Sequence, residues 1–347
     1  MSLLSIFAPS KTFPHGIHPV EHKEQTASKP IRRLAFAPEL VIPLAQHRGR
    51  PALPIVKAGQ EVVRGEPIAE ADGLISVPMH APATGVVRGI DLAPTAEGPR
   101  SRAIYLKVYE AATQEVLYGM PRDLSALGLE DLVASVQEAG LVGLGGAAFP
   151  SHVKMRPPEG RSIETLVVNG CECEPYLTCD HRVMLERTEA LIEGIEIALR
   201  ATGARRAVIG VEDNKLDAVA RIRERLPKLG HISVEAVETK YPQGAEKMLI
   251  KSLLGREVPV GGLPADIGVA VYNVGTLGQM GELRPGRRGL IERVVTVSGP
   301  GVRRPGNYLV PIGTPLRFLL EQVGTTEDAH EVILGGPMMG MSVASLD

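Results

Sequence analysis

The sequence has 347 residues, a formal net charge of −2 at pH 7 and three cysteines. That length predicts two or three domains, and the balanced charge argues against a whole-chain nucleic-acid binder, whose surface would be basic. No stretch reaches the roughly 18 consecutive apolar residues of a transmembrane helix, so we expect no direct membrane span. The cysteines are too few and too clustered for a secreted disulfide framework, which favours a reducing cytoplasm.

Short β-branched runs alternate with Gly, Pro and Asp over residues 53–87. The segment IVKAGQEVVRGEPIAEA predicts three short strands joined by turns. The pattern is similar to the barrel-sandwich modules of biotinyl and lipoyl proteins, which carry a cofactor on a lysine at a hairpin tip. The corresponding tip, from Ala71 to Leu74, has no lysine, and none occurs between Lys57 and Lys107. We therefore expect a structural copy of this module without a swinging arm.

Predicted helices and strands alternate through the middle of the chain. The apolar spacing of SALGLEDLVASVQEAG predicts a helix that ends at Gly140. The runs ETLVVNG, RRAVIGVED, HISVEAVET and DIGVAVYNVGT predict four buried strands. Residues 180–203 predict one long amphipathic helix, and two further helices follow in NKLDAVARIRERLPKLG and QGAEKMLIKSLLG. This alternation predicts βαβ units and a mostly parallel, Rossmann-like sheet.

The pattern changes again near Gly289. The segment ERVVTVSGPGVRRPGNYLVPIGTPLRFLLEQVG predicts a hairpin, a third strand and a helix. Thr314 is the expected N-cap of that helix, because Pro315 suits the first helical position. These elements are typical of a small β-grasp module.

The pattern changes divide the chain into three predicted domains. We place them at residues 1–115, 116–286 and 287–347. The chain stops shortly after the glycine-rich turn GGPMMG, with no terminal cap to close the fold. We therefore expect a truncated chain that lacks a further C-terminal domain.

Polar residues stand at the carboxyl ends of the predicted strands, where open α/β sheets bind ligands. They are Asn169, Glu212-Asp213, Tyr241 and Asn273-Val274-Gly275-Thr276. A single Asn at a strand end is more often a turn former. Several such ends facing one crevice favour a ligand site, and amides and hydroxyls suit a polyol chain or the edge of a heterocycle.

A second candidate feature is the glycine-dense loop GLVGLGGAAFPSHVK, residues 140–154. Gly143, Gly145 and Ala148 fit the pattern G-x-G-x-x-A, but the loop follows a predicted helix instead of a strand, which excludes the standard dinucleotide fingerprint. Its backbone N–H groups could still approach a flat ring or a phosphate closely, with Lys154 adding positive charge. The alternative is a tight packing turn beside a solvated lysine.

Four motifs, in order along the chain, carry a family resemblance: GLGGAAFPSHVK, NGCECEP, KYPQGAEKMLIKSLLG and YNVGTL. They resemble motifs of the flavin- and NADH-binding subunit of respiratory complex I. The sequence is more similar still to the RnfC family of the Rnf electron-transport complex, in which a barrel-sandwich region, a flavin domain and an SLBB-like β-grasp module follow the same order. The resemblance implies a subunit of an ion-translocating ferredoxin:NAD+ oxidoreductase.

The same resemblance implies cofactors, partners and a location. The cofactors are flavin mononucleotide (FMN) and NAD(H); 4Fe-4S clusters are expected only in the missing C-terminal region, because no C-x2-C-x2-C-x3-C-P run is present. The implied partners are other membrane subunits of the complex and a ferredoxin-like subunit. The implied location is peripheral, on the cytoplasmic side of the inner membrane.

The resemblance also assigns roles to individual residues. The backbone of Gly143, Gly145 and Gly146 would pack against FMN, and Lys154 would meet its phosphate or ribityl chain. Glu174 would hold the nicotinamide ribose and is the candidate catalytic residue. The other residues expected to bind cofactor are Phe149, beside the nicotinamide, and Asn169, Glu172, Tyr241, Gly244, Glu246, Asn273 and Thr276 in the flavin pocket. Two positions depart from complex I: Cys171 replaces an acidic residue, and Ala245 replaces the first of two adjacent glutamates.

All three cysteines lie within NGCECEPYLTCDH, residues 169–181. The spacing C-x-C-x5-C is standard for neither zinc nor an iron–sulfur cluster, so we expect no metal there, although His181 could supply a fourth ligand. Two rival functions stay open. One is a cobalamin-reducing flavoprotein built from the same modules, and the other is a non-catalytic docking subunit with an empty pocket.

Overall fold

The chain folds into an N-terminal pair of β-sheets, a central parallel α/β sheet and a small C-terminal sheet. The structure is a computed structural model. It describes residues 11–95, 99–118, 123–226, 230–283 and 289–346. No helix within these ranges is both long enough and apolar enough to cross a membrane.

The N-terminal sheets are built from strands of two to nine residues. The first strand of the described residues, Ile31–Arg33 (β1), lies in the C-terminal sheet instead. The sheets contain Glu39–Pro43 (β2), Leu53–Pro54 (β3), Glu61–Val62 (β4), Pro67–Glu70 (β5), Met79–His80 (β6), Gly85–Ala93 (β7) and Ser101–Val108 (β8). They form one sheet of order β2-β8-β7-β4 and another of order β3-β5-β6. Leu40 and Ile42 alternate with more exposed neighbours along β2, the period-2 pattern of a strand with one face in a core.

The central sheet has four strands in the described part of the chain: Thr165–Gly170 (β9), Arg206–Glu212 (β10), Ile232–Val237 (β11) and Val269–Asn273 (β12). Their order is β11-β10-β9-β12, and every pair is parallel. The nearly continuous burial of β9 reflects coverage of both sheet faces. The predicted strands and their parallel arrangement are therefore confirmed.

Helices flank this sheet. They are Leu129–Glu138 (α1), Ser151–Met155 (α2), Cys179–Glu186 (α3), Thr188–Thr202 (α4), Leu216–Arg225 (α5), Glu246–Leu254 (α6) and Val274–Gly281 (α7). After α1 the chain turns at Gly140, which has the left-handed φ of +68° expected of a helix-terminating glycine. A Cβ added to Gly194 in α4 would lie 1.8 Å from the Leu277 carbonyl oxygen in α7. Glycine thus lets these helices touch, and the contact fixes the position of α7 next to the end of β12.

The single helix predicted over residues 180–203 is wrong. The structure breaks it into α3 and α4 at Arg187, whose φ of −124° and ψ of 32° are not helical. The Arg187 guanidinium pairs with Glu282 at 2.8 Å, and the Thr188 hydroxyl donates to the Met184 carbonyl at 2.6 Å. Apolar spacing continues on both sides of the break, so periodicity alone could not reveal it.

The C-terminal sheet is built around the predicted hairpin of Glu292–Val297 (β13) and Gly306–Pro311 (β14), which is antiparallel. The sequence predicted a third strand from the same segment, but the structure uses β1 instead, which pairs parallel to β14. Leu316–Val323 (α8), Ile333–Leu334 (β15) and Met341–Ser342 (β16) complete this part. Thr314 does not cap α8, because its hydroxyl donates to the Pro311 carbonyl instead. The predicted boundary after residue 286 lies outside the described residues.

The segment that leads to β1 runs across the carboxyl edge of the central sheet. We call residues 11–30 the N-terminal strap. Ile17 and Tyr241 exchange two backbone hydrogen bonds of 2.8 and 2.9 Å, and Tyr176 N–H donates to the Glu21 carbonyl at 2.8 Å. The strap therefore borders the candidate site before the chain enters the N-terminal sheets.

Candidate functional site

The predicted strand-end asparagines stand side by side, because Asn169 and Asn273 are register partners on β9 and β12. Asn273 is the N-cap of α7, and its Oδ1 accepts from the N–H groups of Gly275 at 2.9 Å and Thr276 at 3.2 Å. Its Nδ2 donates to Asp180 at 2.6 Å. Asn273 thus joins the starts of α7 and α3 at one end of the crevice.

The glycine-rich loop folds back on itself and packs against Asn273 and the start of α7. Gly143 N–H donates to the Phe149 carbonyl at 2.9 Å, and Leu144 N–H donates to the Thr276 hydroxyl at the same distance. A Cβ added to Gly145 would lie 3.1 Å from the Asn273 Cβ, so a larger residue would push the loop outward. The loop and the end of β12 are therefore one assembly, as the motif arrangement predicts.

The outer side of the loop is open. Gly145, Gly146 and Ala147 are exposed, and no described residue lies within 4 Å of a Cβ added to Gly146. Gly146 has a φ of +115°, a conformation that costs other residues energy. This bare backbone leaves room for a flat ring or a phosphate, so the residues present fit a flavin nucleotide. Phe149 ends the loop and is half-buried.

A lysine on α2, the helix that follows this loop, lies between a glutamate of α6 and strand β12. Lys154 Nζ is 3.6 Å from Glu246 Oε1 and 3.2 Å from the Val271 carbonyl oxygen on β12. Both charged side chains are about two-fifths exposed, at 36% and 41%. An exposed pair of this kind is weak, so Lys154 can exchange Glu246 for an anionic ligand at little cost.

Asn169 ties β9 to the turn that precedes α6. Its Nδ2 donates to the Gly244 carbonyl at 2.8 Å, and its Oδ1 accepts from Cys171 N–H at 3.0 Å. A Cβ on Gly244 would lie 3.2 Å from the Cys171 carbonyl oxygen, which explains the glycine in this tight crossing. The structure therefore brings the second and third sequence motifs into direct contact.

Glu172 is buried and caps α3. Its carboxylate accepts from the N–H groups of Asp180 at 3.0 Å and His181 at 3.3 Å, and from the Cys179 thiol at 3.2 Å. A carboxylate at a helix N-terminus is stabilised by the free N–H groups and the helix dipole. Glu172 thus supports the crevice from beneath, and its contact with flavin stays a prediction.

Asp180 stands between Glu172 and Asn273. Burial raises the pKa of the Asp180 carboxyl to about 7, and repulsion by the Glu172 carboxylate adds to the rise. The carboxyl can therefore hold a proton near neutral pH, within hydrogen-bond distance of a residue at the floor of the crevice. Sequence reasoning missed Asp180, whose only signal is its place in the first turn of a helix.

Glu174 lies under the turn of residues 335–340. Its two carboxylate oxygens accept from the N–H groups of Met338 at 2.9 Å and Met339 at 2.7 Å. A carboxylate offers about four acceptor positions, so roughly half remain free. Tyr241 is a neighbour: burial raises the pKa of its hydroxyl, and the negative charge of Glu174 adds to that rise. Glu174 and Tyr241, which the sequence assigned separately to the nicotinamide ribose and the flavin pocket, are thus close enough to interact electrostatically.

The cysteines make no disulfides and face different surroundings. Cys171 is buried, and the Cys179 thiol donates to Glu172. His181 turns away toward Asp217, with Nε2 at 2.9 and 3.0 Å from its two carboxylate oxygens. Within the described ranges no three His, Cys, Asp or Glu side chains converge as metal ligands do, and the absence of a metal stays a prediction.

Two buried lysines near the site escaped sequence reasoning. Lys23, on the N-terminal strap, donates to the carbonyls of Glu172 and Glu174 across about 150 residues of sequence. Lys215 pairs with Glu212 at 2.6 Å, and both side chains are at most 1% exposed. Neither lysine lies in a recognisable motif, so only the folded chain reveals them.

Family comparisons agree with this architecture. The RnfC barrel sandwich hybrid domain matches residues 11–110, the Nuo51 FMN-binding domain residues 136–282 and the SLBB domain residues 294–342. Over 340 residues the chain is 39% identical to the C subunit of the proton-translocating ferredoxin:NAD(+) oxidoreductase complex of Clostridium ljungdahlii, with 97% of this chain and 74% of that protein covered. The chain belongs to the RnfC family. The predicted relationship and the three-part fold class are confirmed.

Other RnfC relatives differ in length. The C subunit of the Na(+)-translocating ferredoxin:NAD(+) oxidoreductase complex of Acetobacterium woodii is 40% identical over 336 residues, which cover 95% of this chain and 75% of that protein. The C subunit of the ion-translocating oxidoreductase complex of Haemophilus influenzae strain 86-028NP is 39% identical over 338 residues, but only 50% of it is covered. This RnfC chain therefore spans three quarters of two relatives and half of the third.

A solved structure also resembles this RnfC chain. It is an NAD+-reducing NiFe hydrogenase in the air-oxidized state, with a TM-score of 0.53 and 26% identity. The match covers 62% of this chain and 42% of the hydrogenase chain. The likeness therefore extends the relationship to an enzyme that reduces NAD+.

Proposed function

We propose that the protein binds FMN in the crevice between the glycine-rich loop and the carboxyl ends of β9 and β12. One observation carries the proposal: the exposed backbone of the glycine-rich loop packs at Gly145 on Asn273 of β12, and Lys154 donates to the Val271 carbonyl on the same strand. The FMN-binding family model spans all of these residues. As the RnfC component of an ion-translocating ferredoxin:NAD(+) oxidoreductase, the protein would exchange electrons with NAD(H) at this site.

The chain's own part is to bind and orient the flavin. FMN supplies the electron-transfer chemistry when bound. Gly145 and Gly146 present a surface without side chains, and Lys154 supplies a positive charge for the phosphate group. Backbone pairing of β9 and β12 places Asn169 and Asn273 side by side, and each side chain bonds the turn that follows or faces its strand end. Preorganised polar groups of this kind do not have to rearrange when a ligand binds.

Glu174 is the candidate for the nicotinamide end. Its carboxylate keeps about two acceptor positions beyond the hydrogen bonds from Met338 and Met339, which suit the two hydroxyls of a ribose. Phe149 is the proposed apolar neighbour of the nicotinamide. Glu174 would act by positioning the nucleotide relative to the flavin, since accurate orientation alone lowers the barrier substantially.

The partners belong to the same proposal. The protein would sit peripherally on the cytoplasmic side of the inner membrane, against other membrane subunits of the complex and a ferredoxin-like subunit. The 347 residues contain no cysteine run of the kind that holds 4Fe-4S clusters. The clusters that exchange electrons with the flavin would therefore belong to other polypeptide segments.

Two measurements on the purified protein test the proposal. Titration with FMN should give saturable quenching of flavin fluorescence, and anaerobic NADH should then bleach the flavin absorbance. A failure to bind at high micromolar FMN would reject the flavin site. Binding without bleaching would reject NADH as the reductant, and a docking subunit with an empty pocket would show neither effect.

A further inference from the structure

One lysine of the N-terminal strap donates hydrogen bonds to three carbonyl groups of the loop that carries Glu174. Lys23 is 8% exposed, and its ammonium donates to the carbonyls of Glu172 at 2.8 Å, Glu174 at 2.9 Å and Leu177 at 2.5 Å. An ammonium group has three N–H donors, so all three are used inside the protein. We call residues 171–178 the β9–α3 loop. The carbonyl groups of the loop surround the Lys23 ammonium, which lies about 150 positions earlier in the sequence.

This arrangement has an energetic cost that the contacts must offset. Burial lowers the pKa of the Lys23 ammonium, and the nearby Glu172 carboxylate opposes that effect. Removing the ammonium would leave three carbonyls of one short loop without this donor, in a place largely closed to water. Unsatisfied buried acceptors are costly, so the loop would rearrange to find other partners.

Further contacts tie the strap to the same loop, including a 2.8 Å hydrogen bond from the Thr178 hydroxyl to the Thr26 hydroxyl. Tyr176 N–H donates to the Glu21 carbonyl, and the rings of His22 and Tyr176 stack with centroids 4.8 Å apart and planes 11° from parallel. The residues just before Lys23 therefore hold the loop as well. These contacts leave the glycine-rich loop and Lys154 untouched, since those residues bind to β12 and α7.

We propose that Lys23 is a positioning residue: its ammonium fixes the β9–α3 loop so that the Glu174 carboxylate faces the nicotinamide nucleotide. The inference rests on the proposed function, because it assigns Glu174 to the nucleotide. It predicts that the two ends of the crevice respond differently. Loss of Lys23 should impair the use of NADH while FMN binding is retained.

The strap offers a matched control in Lys29. Its ammonium donates to the carbonyl of Pro305 at 2.9 Å, in the C-terminal part of the chain. Lys29→Ala therefore removes a lysine and a strap contact without touching the β9–α3 loop. Lys23→Ala and Lys29→Ala would be compared for FMN affinity, thermal stability and the NADH dependence of anaerobic flavin bleaching.

For Lys23→Ala we expect FMN affinity within about threefold of the unmodified protein and a half-saturating NADH concentration for bleaching at least about tenfold higher. Added n-propylammonium replaces the missing part of the side chain and should restore that concentration. Tetramethylammonium carries the same charge but no N–H donor and should not restore it. Lys29→Ala should resemble the unmodified protein. If Lys23→Ala does not fold, Lys23→Met is used in its place, because methionine keeps the apolar part of the lysine side chain.

A second readout does not depend on NADH. Amide hydrogen exchange within residues 171–178 should accelerate in Lys23→Ala and slow again with n-propylammonium. Unchanged exchange would overturn the positioning role, as would equal NADH kinetics in Lys23→Ala and Lys29→Ala or equal rescue by both cations. If the unmodified protein binds FMN but is not bleached by NADH, the proposed function fails instead, and the exchange measurement still decides the role of Lys23.

Discussion

The two ends of the proposed cofactor site, the flavin end at the glycine-rich loop and the nucleotide end at Glu174, are built in different ways. At the flavin end, the glycine-rich loop presents bare, exposed backbone and is held by bonds to its own ends and to α7. At the nucleotide end, the β9–α3 loop is tied by side chains from distant parts of the sequence, including Lys23 and Glu212. The first end depends on local shape, and the second depends on buried charges that must all be present. Substitutions should therefore affect stability most at the nucleotide end and flavin affinity most at the flavin end.

The largest effect on stability is expected for Lys215→Met. Lys215 and Glu212 form a fully buried pair, and Glu212 Oε2 also accepts from Glu172 N–H at 2.9 Å. Removing one partner leaves an uncompensated buried charge, which should lower the free energy of unfolding by about 3–5 kcal/mol. Urea denaturation measures this loss.

A surface pair provides the control for that variant. Lys251 and Glu257 are 2.8 Å apart and much more exposed, so Lys251→Met should cost less than about 1 kcal/mol. The double variant Lys215→Met with Glu212→Gln should recover part of the loss, because the unpaired charge is then gone. Equal small losses at both lysines would show that the nucleotide end does not depend on its buried charges.

At the flavin end, Lys154→Ala should weaken FMN binding by about 1.5–3 kcal/mol, because a charge-assisted bond to the phosphate is lost. Stability should change little, since the Lys154 pair with Glu246 is exposed. Fluorescence titration gives the affinity. Lys247→Ala, on an exposed lysine of the same helix as Glu246, controls for the loss of one positive charge. An unchanged affinity in Lys154→Ala would remove this lysine from the site.

The smallest expected effect is a change in pH dependence at Asp180, which lies between the two ends. Its folded-state pKa of about 7 exceeds the value of 3.8 for a free carboxyl. Between those values the unfolded chain binds fewer protons, so this group lowers stability as pH rises through that window. Asp180→Asn removes the effect, so the variant should gain stability relative to the unmodified protein as pH rises from about 4 to about 7.

Urea unfolding at several pH values measures that difference. Asp131→Asn, at an exposed carboxyl in the first turn of α1, is the control and should leave the pH profile unchanged. Parallel profiles for Asp180→Asn and the unmodified protein would mean that Asp180 is ionised across this range in the folded state.

The same contrast explains what the sequence could predict. The four strands of the central sheet and the open glycine-rich loop follow from apolar periodicity and glycine chemistry, which act locally, whereas the contact of the loop with the Asn273 turn was implied by the family resemblance. The break at Arg187 coincides with a pair to Glu282, 95 residues away, and the third strand of the C-terminal sheet comes from β1. Lys23 makes its bonds across about 150 residues. Such long-range contacts leave no local pattern, so the nucleotide end was only partly predictable.

The most direct test of the two-ended site is the Glu174→Gln variant. The amide keeps the shape of the side chain but removes the charge and half of the acceptor capacity that the ribose would use. FMN-loaded protein would be mixed anaerobically with NADH while the flavin absorbance is followed. We expect bleaching to slow by roughly tenfold with FMN affinity unchanged. Equal bleaching rates in the variant and the unmodified protein, or a parallel loss of FMN binding, would contradict the separation of the two ends.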